Sequence, residues 1–367
     1  MPVLRATLIF ALAIWPLARN AVSAQQVAAG MYAESANDET MHLMPRVRVS
    51  APIAQTTEVG AAYALDVISH ASIDIRSTSL RVVDTRQQLL DAGASHRFAG
   101  WSLGGRYRLT TQPDYTSHTG VLSFETDLAE GSAVAALTPY LRLNDIGRSG
   151  ESTFSRSSRM FGVRAGLKQL LDRKSYAQLV YEVQYAGGYL SNPEGFVGAG
   201  ERSNTDFGCA SVIVCVPEHK PDSRLQHAFL LVLRRALSQT ISIGLGYRFY
   251  LDDWSMMSHT LEPDVAWAPL DGMLLRLRYR GYFQSGAEFF ARSFAQLPER
   301  DFSWDPRVSP LHTHRLGLDF DNTWRLSNPG PQLHLGASVG LRFYSYRDFG
   351  ESARRSLDGT LWAMLAF

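Results

Sequence analysis

The 367-residue sequence has little cysteine and little charge, and each shortage excludes a class of protein. Its two cysteines are too few for a disulfide-rich scaffold or for a structural zinc site built from cysteine. Charged residues make up 19%, and the net charge of +1 at pH 7 argues against a nucleic-acid partner held by bulk electrostatics. After the N-terminal region no apolar run of about 18 residues occurs, which excludes a helical membrane protein.

Apolar residues are plentiful. Hydrophobic residues make up 45% of the chain and aromatic residues 11%, so the chain can bury a large apolar surface and is not disordered. The basic residues are almost all arginine, and the only lysines are Lys168, Lys174 and Lys220. The length fits two ordinary domains or a single all-β barrel, so length alone does not decide the domain count.

Residues 1–24 have the features of a secretory signal peptide. Arg5 supplies a positive charge, an apolar segment follows it, and small residues precede a cleavage site after Ala24. An apolar run of about ten residues is too short for a membrane anchor. We therefore expect export by the Sec pathway, with residues 25–367 forming one barrel domain.

Alternation of apolar and polar residues predicts long β-strands along the rest of the chain. The stretch 273–284 is the clearest, because Arg276, Arg278 and Arg280 alternate with two leucines and a tyrosine. Most such segments exceed the length of about 9–11 residues that a tilted strand needs to cross a bilayer. The sixteen segments are 27–35, 41–52, 55–68, 83–94, 98–110, 116–128, 132–144, 157–170, 175–188, 224–237, 240–252, 255–268, 273–285, 311–326, 331–346 and 355–367.

The connections between these segments alternate in length, which is the plan of a transmembrane barrel. Long connections are expected at 69–82, 145–156, 189–223, 286–310 and 347–354, and most of the others are short turns, including one at 95–97. An even strand count places both chain ends on the short-turn side, which is the periplasm. A soluble β-sandwich also shows period two, but strand length, loop alternation and the terminal Phe367 favour the barrel.

The predicted fold is therefore all-β, a transmembrane antiparallel up-and-down barrel of about sixteen strands in the bacterial outer membrane. Phe367 resembles the C-terminal signal by which such barrels are recognised for assembly. The expected partners are outer-membrane lipid, lipopolysaccharide and the barrel assembly machinery, with a periplasmic partner left open and no nucleic acid. Aromatic residues should lie at the two membrane interfaces. They are Trp101, Trp267, Trp324 and Phe367 on one side, and Tyr115, Tyr189, Trp254, Phe283 and Tyr346 on the other.

Lipid offers no hydrogen bonds, so the sheet must close and its charged face must point inward. Either a water-filled pore filters solutes by charge, or ion pairs or a partner close the lumen. The first strands and the 189–223 and 286–310 loops are candidates for a plug that folds into the lumen. The basic residues expected on the inner face are Arg46, Arg48, Arg106, Arg108, Arg142, Arg164, Lys168, Arg248, Arg276, Arg278, Arg280, Arg315 and Arg342. The acidic residues expected there are Glu58, Asp66, Glu125, Asp127, Glu182, Asp252, Glu262, Asp264, Asp319 and Asp321.

Four segments carry a family resemblance. They read DVISHASID from residue 66, PDYTS from residue 113, YRFYLDDW from residue 247 with SHT from 258, and RYRGYFQSGAEFF from residue 278. This pattern resembles a family of Gram-negative outer-membrane β-barrels catalogued only as a domain of unknown function. The resemblance implies the barrel fold and the outer-membrane location, and it implies no activity.

The same motifs place acidic and aromatic residues at the expected extracellular rim. One interpretation is a site that binds a divalent cation or bridges lipopolysaccharide, since carboxylates suit Ca²⁺ and Mg²⁺. The other is that these residues stabilise turns and pair with arginine. The rim set is Asp66, Ser69, Asp114, Tyr115, Asp252, Asp253 and Trp254.

The remaining residues give little support for catalysis or metal binding. Ser258 and His259 are adjacent on a strand, so they face opposite sides and cannot pair as nucleophile and base. His312 and His314 are expected to face lipid and His334 the lumen, so a three-histidine metal site is disfavoured, and no cofactor motif occurs. Cys209 and Cys215 lie in the 189–223 loop and are expected to form a disulfide.

Three functions follow in order of preference. The first is a porin-like channel or transporter for a small polar solute. The second is a non-conducting barrel that acts as an anchor or assembly component for a periplasmic or surface partner. An outer-membrane enzyme is third, and no catalytic residue is assigned.

Overall fold

A computed structural model of the chain describes residues 25–38, 40–68, 86–199, 214–327, 330–347 and 354–367. Within these residues sixteen antiparallel strands close into a barrel, and a separate two-stranded sheet lies in one loop. The strands are β1 (Gln26–Ala36), β2 (Met41–Ala54), β3 (Thr57–Ile68), β4 (Gln87–Arg97), β5 (Trp101–Gln112), β6 (Tyr115–Leu128), β7 (Ala133–Ile146), β8 (Arg156–Asp172), β9 (Ser175–Gly188), β10 (Phe196–Ala199), β11 (Val214–Pro217), β12 (Ser223–Ala236), β13 (Ile241–Asp252), β14 (Met257–Trp267), β15 (Met273–Gln284), β16 (Leu311–Arg325), β17 (Gln332–Tyr346) and β18 (Arg354–Ala366). All except β10 and β11 belong to the barrel.

The first and last strands close the barrel. β1 pairs with β2 on one side and with β18 on the other, from Gln26 opposite Ala366 to Ala36 opposite Ser356. Two backbone hydrogen bonds extend this ladder to the last residue, from Gln25 N to Phe367 O at 2.8 Å and from Phe367 N to Gln25 O at 3.0 Å. The closed ladder satisfies the strand backbones without water, which is the condition for a β-structure in lipid. The predicted fold class is confirmed.

The outer face is apolar and the inner face is polar. Leu122, Leu277 and Leu361 are 58%, 52% and 63% exposed on the outside of the wall. On the inside, neighbouring positions carry the arginines and carboxylates of the same strands, because successive side chains of a strand alternate between faces. This arrangement is the one found in transmembrane barrels. In the part of the chain that the structure describes, no helix is long and apolar enough to cross a membrane.

The two ends of the barrel differ. The end that holds Gln25 and Phe367 has short turns, at 55–56, 98–100, 129–132, 173–174, 237–240 and 268–272, and we call it the short-turn rim. Gly272 is needed in one of these turns, because its φ is +81° and an added Cβ would lie 2.5 Å from the Thr323 carbonyl oxygen. The opposite end, the long-loop rim, carries the connections 147–155, 189–222 and 285–310. The predicted loop 69–82 lies outside the described residues.

The predicted segments agree with the strands except in a few places. The fourth segment, 83–94, was misplaced, because the strand runs over Gln87–Arg97. The predicted turn at 95–97 is also wrong: Gly100, with φ at +82°, makes the turn, and Arg97 still pairs with Ser102. The predicted signal peptide, residues 1–24, lies outside the described residues.

Loops at the long-loop rim fold into a packed unit, which we call the loop cap (residues 189–199, 214–222, 253–256 and 285–310). Within the cap, β10 pairs with β11 in an antiparallel sheet. Isolated bridges join this sheet and its neighbouring residues to the 285–310 segment, such as the bridge between Ala199 and Phe294. Two apolar clusters fill its interior. The first contains Trp254, Met256, Ala287, Phe289 and Val308, and the second contains Val197, Phe294 and Trp304. The strand pattern did not predict this unit, since its short strands lack a long alternation.

Candidate functional site

One half of the inner wall concentrates positive charge around a cavity of about 600 Å³. Four strands, β2, β5, β7 and β8, supply six arginines to its lining, and only three carboxylates line it with them. We call this group of arginines the arginine arc. Its members are Arg46, Arg48, Arg106, Arg108, Arg142 and Arg164, and the carboxylates are Glu58, Asp91 and Glu182.

The strand register places the arc in one band across the wall. Ala62 lies opposite Arg48 on one side and opposite Asp91 on the other, and Asp91 lies opposite Arg108. The series continues across β6 to Arg142. Directly opposed residues of neighbouring strands have Cβ atoms about 4.5–5.5 Å apart, so these side chains form one continuous row across the inner wall.

Half of the arc has carboxylate partners. Arg108 Nη2 lies 2.8 Å from Asp91 Oδ2, and Arg106 Nε lies 3.4 Å from Asp91 Oδ1, so one carboxylate serves two arginines. Arg164 Nη2 lies 3.1 Å from Glu182 Oε2. These contacts leave the paired half of the arc with less negative than positive charge.

The other half of the arc has no such partner. Within the described residues, Arg46, Arg48 and Arg142 make no ion pair and no side-chain hydrogen bond. Glu58 also lines the cavity but forms no ion pair with any of the described residues. The surplus of positive charge therefore faces an open cavity rather than a neighbouring strand.

Small residues keep this cavity open. Gly93 and Gly104 lie on the inner face of β4 and β5 and line the cavity. A Cβ added to Gly93 would lie 2.7 Å from the Gly105 carbonyl oxygen, and one added to Gly104 would lie 2.5 Å from Ser123 Oγ. Both distances are too short for a real contact, so larger residues would fill or distort the wall here.

The remaining part of the wall is neutralised by ion pairs, and those of Glu34 cross the closure between β1 and β18. Asp358, 3% exposed, binds Arg315 at 2.6 Å and Arg342 at 3.5 Å. Glu34, 8% exposed, lies 3.9 Å from Arg342 and 3.8 Å from Arg354. These five residues, which we call the closure seam, link β1, β16, β17 and β18 through side chains as well as backbone.

The predicted ladder of Arg276, Arg278 and Arg280 belongs to this neutralised half. Arg276 Nε lies 3.6 Å from Asp264 Oδ1, and Arg280 Nε lies 2.8 Å from Glu262 Oε1. Arg278 Nη2 lies 2.6 Å from Asp319 Oδ2 on the following strand. Each ladder arginine thus has a carboxylate partner, unlike Arg46, Arg48 and Arg142 of the arginine arc. Among the other residues predicted to line the pore, Arg248 lies over the Tyr250 ring, 5.7 Å from its centroid, and Arg342 belongs to the closure seam.

The rim residues stabilise turns. Asp252 has a fully buried carboxylate that accepts hydrogen bonds from Arg224 Nε at 2.8 Å, the Tyr250 hydroxyl at 2.6 Å, and the backbone N–H groups of Trp254 and Met256, both at 3.0 Å. This pattern is an Asx turn with an added ion pair.

The other rim residues bind separate neighbours. Asp114 accepts a hydrogen bond from Ser149 Oγ at 2.6 Å, and Tyr115 donates one to Asn144 Oδ1 at 2.9 Å. Asp66 lies 2.5 Å from His42 Nε2, the backbone N–H of Asp253 donates to Leu225 O at 3.2 Å, and Ser69 lies outside the described residues. No group of three or more metal-binding side chains occurs among the residues that the structure describes. The geometry favours turn stabilisation over the cation-binding interpretation.

Several of the aromatic residues expected at the membrane interface near the long-loop rim lie elsewhere. Trp254 and Tyr346 are only 4% and 5% exposed. Trp254 packs inside the loop cap, and Tyr346 and Tyr115 fall on the inward register of their strands. At the short-turn rim, the expected aromatic residues are exposed. They are Trp101 at 37%, Trp267 at 49%, Trp324 at 41% and Phe367 at 36%.

The loop cap is locked by a buried cluster of charges. Lys220 Nζ lies 2.6 Å from Asp305 Oδ2 and 3.0 Å from Glu218 Oε1, and all three side chains are less than 5% exposed. Ser303 Oγ donates to Glu218 Oε2 at 2.7 Å. Burial alone would raise the pKa of Asp305, but the positive charges of Arg307 and Lys220 outweigh burial and lower that pKa. The cluster joins the 214–222 and 285–310 segments of the cap.

The loop cap lies against the inner face of the barrel. Gln284 on β15 donates from Nε2 to the carbonyl oxygens of Arg307 at 3.1 Å and Ser309 at 2.7 Å. Tyr250, an inner-face residue of β13, packs against the first apolar cluster. Inner-face residues near this rim, such as Ser258 and Thr313, are only 3% and 6% exposed. The cap therefore covers the wall at this end of the lumen.

The described histidines pair with neighbouring side chains rather than with one another. Tyr247 shares a hydrogen bond of 2.8 Å with His259 Nδ1, whereas Ser258 is buried on the other side of the strand. The Tyr279 hydroxyl lies 2.7 Å from His314 Nδ1, and Thr323 Oγ1 lies 2.8 Å from His334 Nδ1. Cys215 is disulfide-bonded, and Cys209 lies outside the described residues.

Comparison with known proteins identifies a family and a fold. The family described as "Protein of unknown function (DUF3570)" matches residues 148–361. A solved structure described as a "Bacterial polysaccharide outer membrane secretin" is 9% identical with a TM-score of 0.51, over 94% of this chain and 99% of that one. CdiB from Acinetobacter baumannii is 10% identical with a TM-score of 0.53, over 94% of this chain and 61% of that one. No curated protein matches the chain. At such low identity the two structures show a shared outer-membrane barrel fold.

Proposed function

The chain belongs to this family of proteins of unknown function, and we propose that it forms a channel for a small polar solute across the bacterial outer membrane. The closed barrel, its apolar outer face and its charged inner wall support this proposal. By analogy with transmembrane barrels, the short-turn rim faces the periplasm and the long-loop rim faces the cell exterior. Residues 1–24 would direct export and be removed after Ala24.

The unbalanced charge of the arginine arc is the observation that carries this proposal. A barrel that serves only as a scaffold gains nothing from three arginines that face a cavity without partners. The closure seam and the ladder show that this chain pairs its charges elsewhere on the wall. Charged groups that line a pore select the solutes that pass through it.

The loop cap indicates a gated channel. It is packed against the inner wall at the long-loop rim, so we propose that it restricts entry from the cell exterior. The cavity beside the arginine arc would receive the solute once the cap opens.

A non-conducting anchor is the second candidate, and the packed loop cap is the observation that favours it. A barrel whose outer end is permanently covered would present its folded loops to a partner. The enzyme candidate is weaker, because the described serine and histidine side chains do not converge.

Single-channel conductance in a planar bilayer separates the first two candidates. We expect the purified barrel to give stepwise conductance that rises when the cap is loosened by Lys220→Met, since Lys220 joins two cap segments. Lys174→Met, in a turn of the short-turn rim, is the matched control and should leave conductance unchanged. No conductance from either the wild type or Lys220→Met would reject the channel in favour of the anchor.

A further inference from the structure

We propose that the arginine arc is a binding site for a small multivalent anion that carries two or more carboxylate or phosphate groups. The physiological role of this site as a solute site rests on the proposed channel function. The binding itself does not, because it can be measured on the folded barrel without transport.

The charge of the site requires an anion. Six arginines and three carboxylates line the cavity, and Arg46, Arg48 and Arg142 have no partner within the described residues. Arginine keeps its charge at any ordinary pH, so this surplus cannot be removed by losing protons. Counter-ions must therefore come from solution. Because the surplus is larger than one charge, a ligand with several negative groups gains more than a monovalent ion.

The chemistry of the side chains favours oxyanions. Guanidinium groups bind carboxylate and phosphate oxygens through two parallel hydrogen bonds, a geometry that lysine does not provide. The hydroxyl-bearing residues Thr119, Ser123 and Thr138 also line the cavity and offer further hydrogen bonds. Asp91, which is shared by Arg106 and Arg108, holds these two arginines toward the centre of the arc without neutralising both.

The size of the cavity fits a small molecule. Its volume of about 600 Å³ falls within the range of about 300–1,000 Å³ for ligand pockets. Gly93 and Gly104 provide this space, since larger residues would collide with the neighbouring strands. The opposite wall has a similar number of arginines, but carboxylates occupy most of them.

Isothermal titration calorimetry of the detergent-solubilised barrel tests the site with citrate and inorganic pyrophosphate as multivalent probes and acetate as the monovalent control. We expect both multivalent probes to bind more tightly than acetate at low salt and to weaken in high salt. The triple variant Arg46→Gln/Arg48→Gln/Arg142→Gln should lose on the order of a thousandfold in affinity, about tenfold for each unpaired arginine. Tighter binding of pyrophosphate or of citrate would assign the phosphate or the carboxylate class.

The matched control is Arg278→Gln/Asp319→Asn, which removes an ion pair from the neutralised wall without changing its net charge. It should bind the probes as the wild type does. Arg142→Gln alone replaces the triple variant if the latter does not fold, as judged by the mobility shift of unboiled samples. Equal affinity of the wild type and the arc variants, or no preference over acetate, overturns the proposal. Binding without conductance supports the site and rejects only the channel.

Discussion

Lys220 shows at the residue scale how one side chain organises a loop region. It is one of three lysines in the chain, and it lies buried between Glu218 and Asp305. Removing one partner of a buried charge cluster leaves the other charges unpaired, at a cost of about 3–5 kcal/mol. The sequence shows that lysine is scarce but does not reveal this cluster, because Asp305 lies 85 residues after Lys220 along the chain.

We predict that Lys220→Met loosens the loop cap while the barrel stays folded. The cap should become sensitive to trypsin at Arg292 or Arg300, which lie in the 285–310 segment. Limited proteolysis followed by mass spectrometry measures this change, and the mobility of unboiled samples reports on the barrel. Lys174→Met in a short turn should remain as resistant as the wild type. Equal resistance of the two variants would contradict a locking role for Lys220.

The depressed pKa of Asp305 makes the cap sensitive to acid. Because Arg307 and Lys220 lower this pKa in the folded protein, the carboxylate contributes stability above the unfolded value of about 3.9. That contribution is lost as the pH falls from about 3.9 toward the lower folded pKa. We predict that the protection of backbone amides in 285–310 against hydrogen exchange, corrected for the intrinsic rate at each pH, falls below about pH 4 in the wild type. Asp305→Asn should exchange faster at neutral pH and depend less on pH, and identical profiles would refute the prediction.

Patterns of alternation determine how well each element is predicted from the sequence. The strand β15 is predicted correctly because Arg276, Arg278 and Arg280, at every second position, show which side of the strand faces the lumen. The strand β4 has a weak pattern, so its boundary shifts, and Asp91 was missing from the predicted inner face although it holds two arginines of the arc. Inward folding of the 189–223 and 286–310 loops was one alternative from the sequence, but the packing of the loop cap was not predicted, because contacts between distant loops leave no periodic trace in the sequence.

Histidines on the outer face follow a regular arrangement that the sequence also does not reveal. In four pairs of neighbouring strands a tyrosine hydroxyl lies within hydrogen-bonding distance of His Nδ1 on the partner strand. A buried or lipid-exposed polar group is costly unless it is hydrogen-bonded, so each pair shields the imidazole on an apolar face. The pairs are Tyr107 with His118, Tyr181 with His227, Tyr247 with His259, and Tyr279 with His314, at 2.6–2.8 Å.

The closure seam should stabilise the closed barrel against heat. We predict that Asp358→Asn lowers the temperature at which unboiled barrel loses its compact mobility on a gel, because Arg315 and Arg342 lose their shared carboxylate. Asp321→Asn is the matched control, since Asp321 on β16 forms no ion pair within the described residues. If both variants melt at the same temperature, the seam does not stabilise closure.

At the scale of the whole molecule, the barrel divides into a neutralised wall and a wall with surplus positive charge. The neutralised wall includes the junction of the first and last strands, where ion pairs support closure. The arginine arc lies on β2, β5, β7 and β8, so it begins on the strand that pairs with β1 and extends away from the closing ladder of β1 and β18. Stability and solute binding are thus assigned to different sectors of one sheet.

Phe367 completes the closing ladder and also carries the ring expected to act in assembly. Phe367 contributes two backbone hydrogen bonds to Gln25 and an exposed ring at the short-turn rim. Phe367→Ala keeps the backbone bonds and removes only the ring, so we predict normal refolding in detergent but reduced assembly in cells if the ring is recognised by the assembly machinery. Phe367→Tyr, the matched control, should assemble as the wild type does.

Heat-modifiable mobility of membrane fractions measures assembly in cells, and the same shift after refolding measures closure alone. Deletion of Phe367 removes both backbone bonds as well as the ring, so it should reduce the shift in both settings. Normal assembly of Phe367→Ala in cells would show that the ring is not the signal. A refolding defect in Phe367→Ala would instead place its role in the closing ladder, because the ring would then stabilise the barrel without any recognition step.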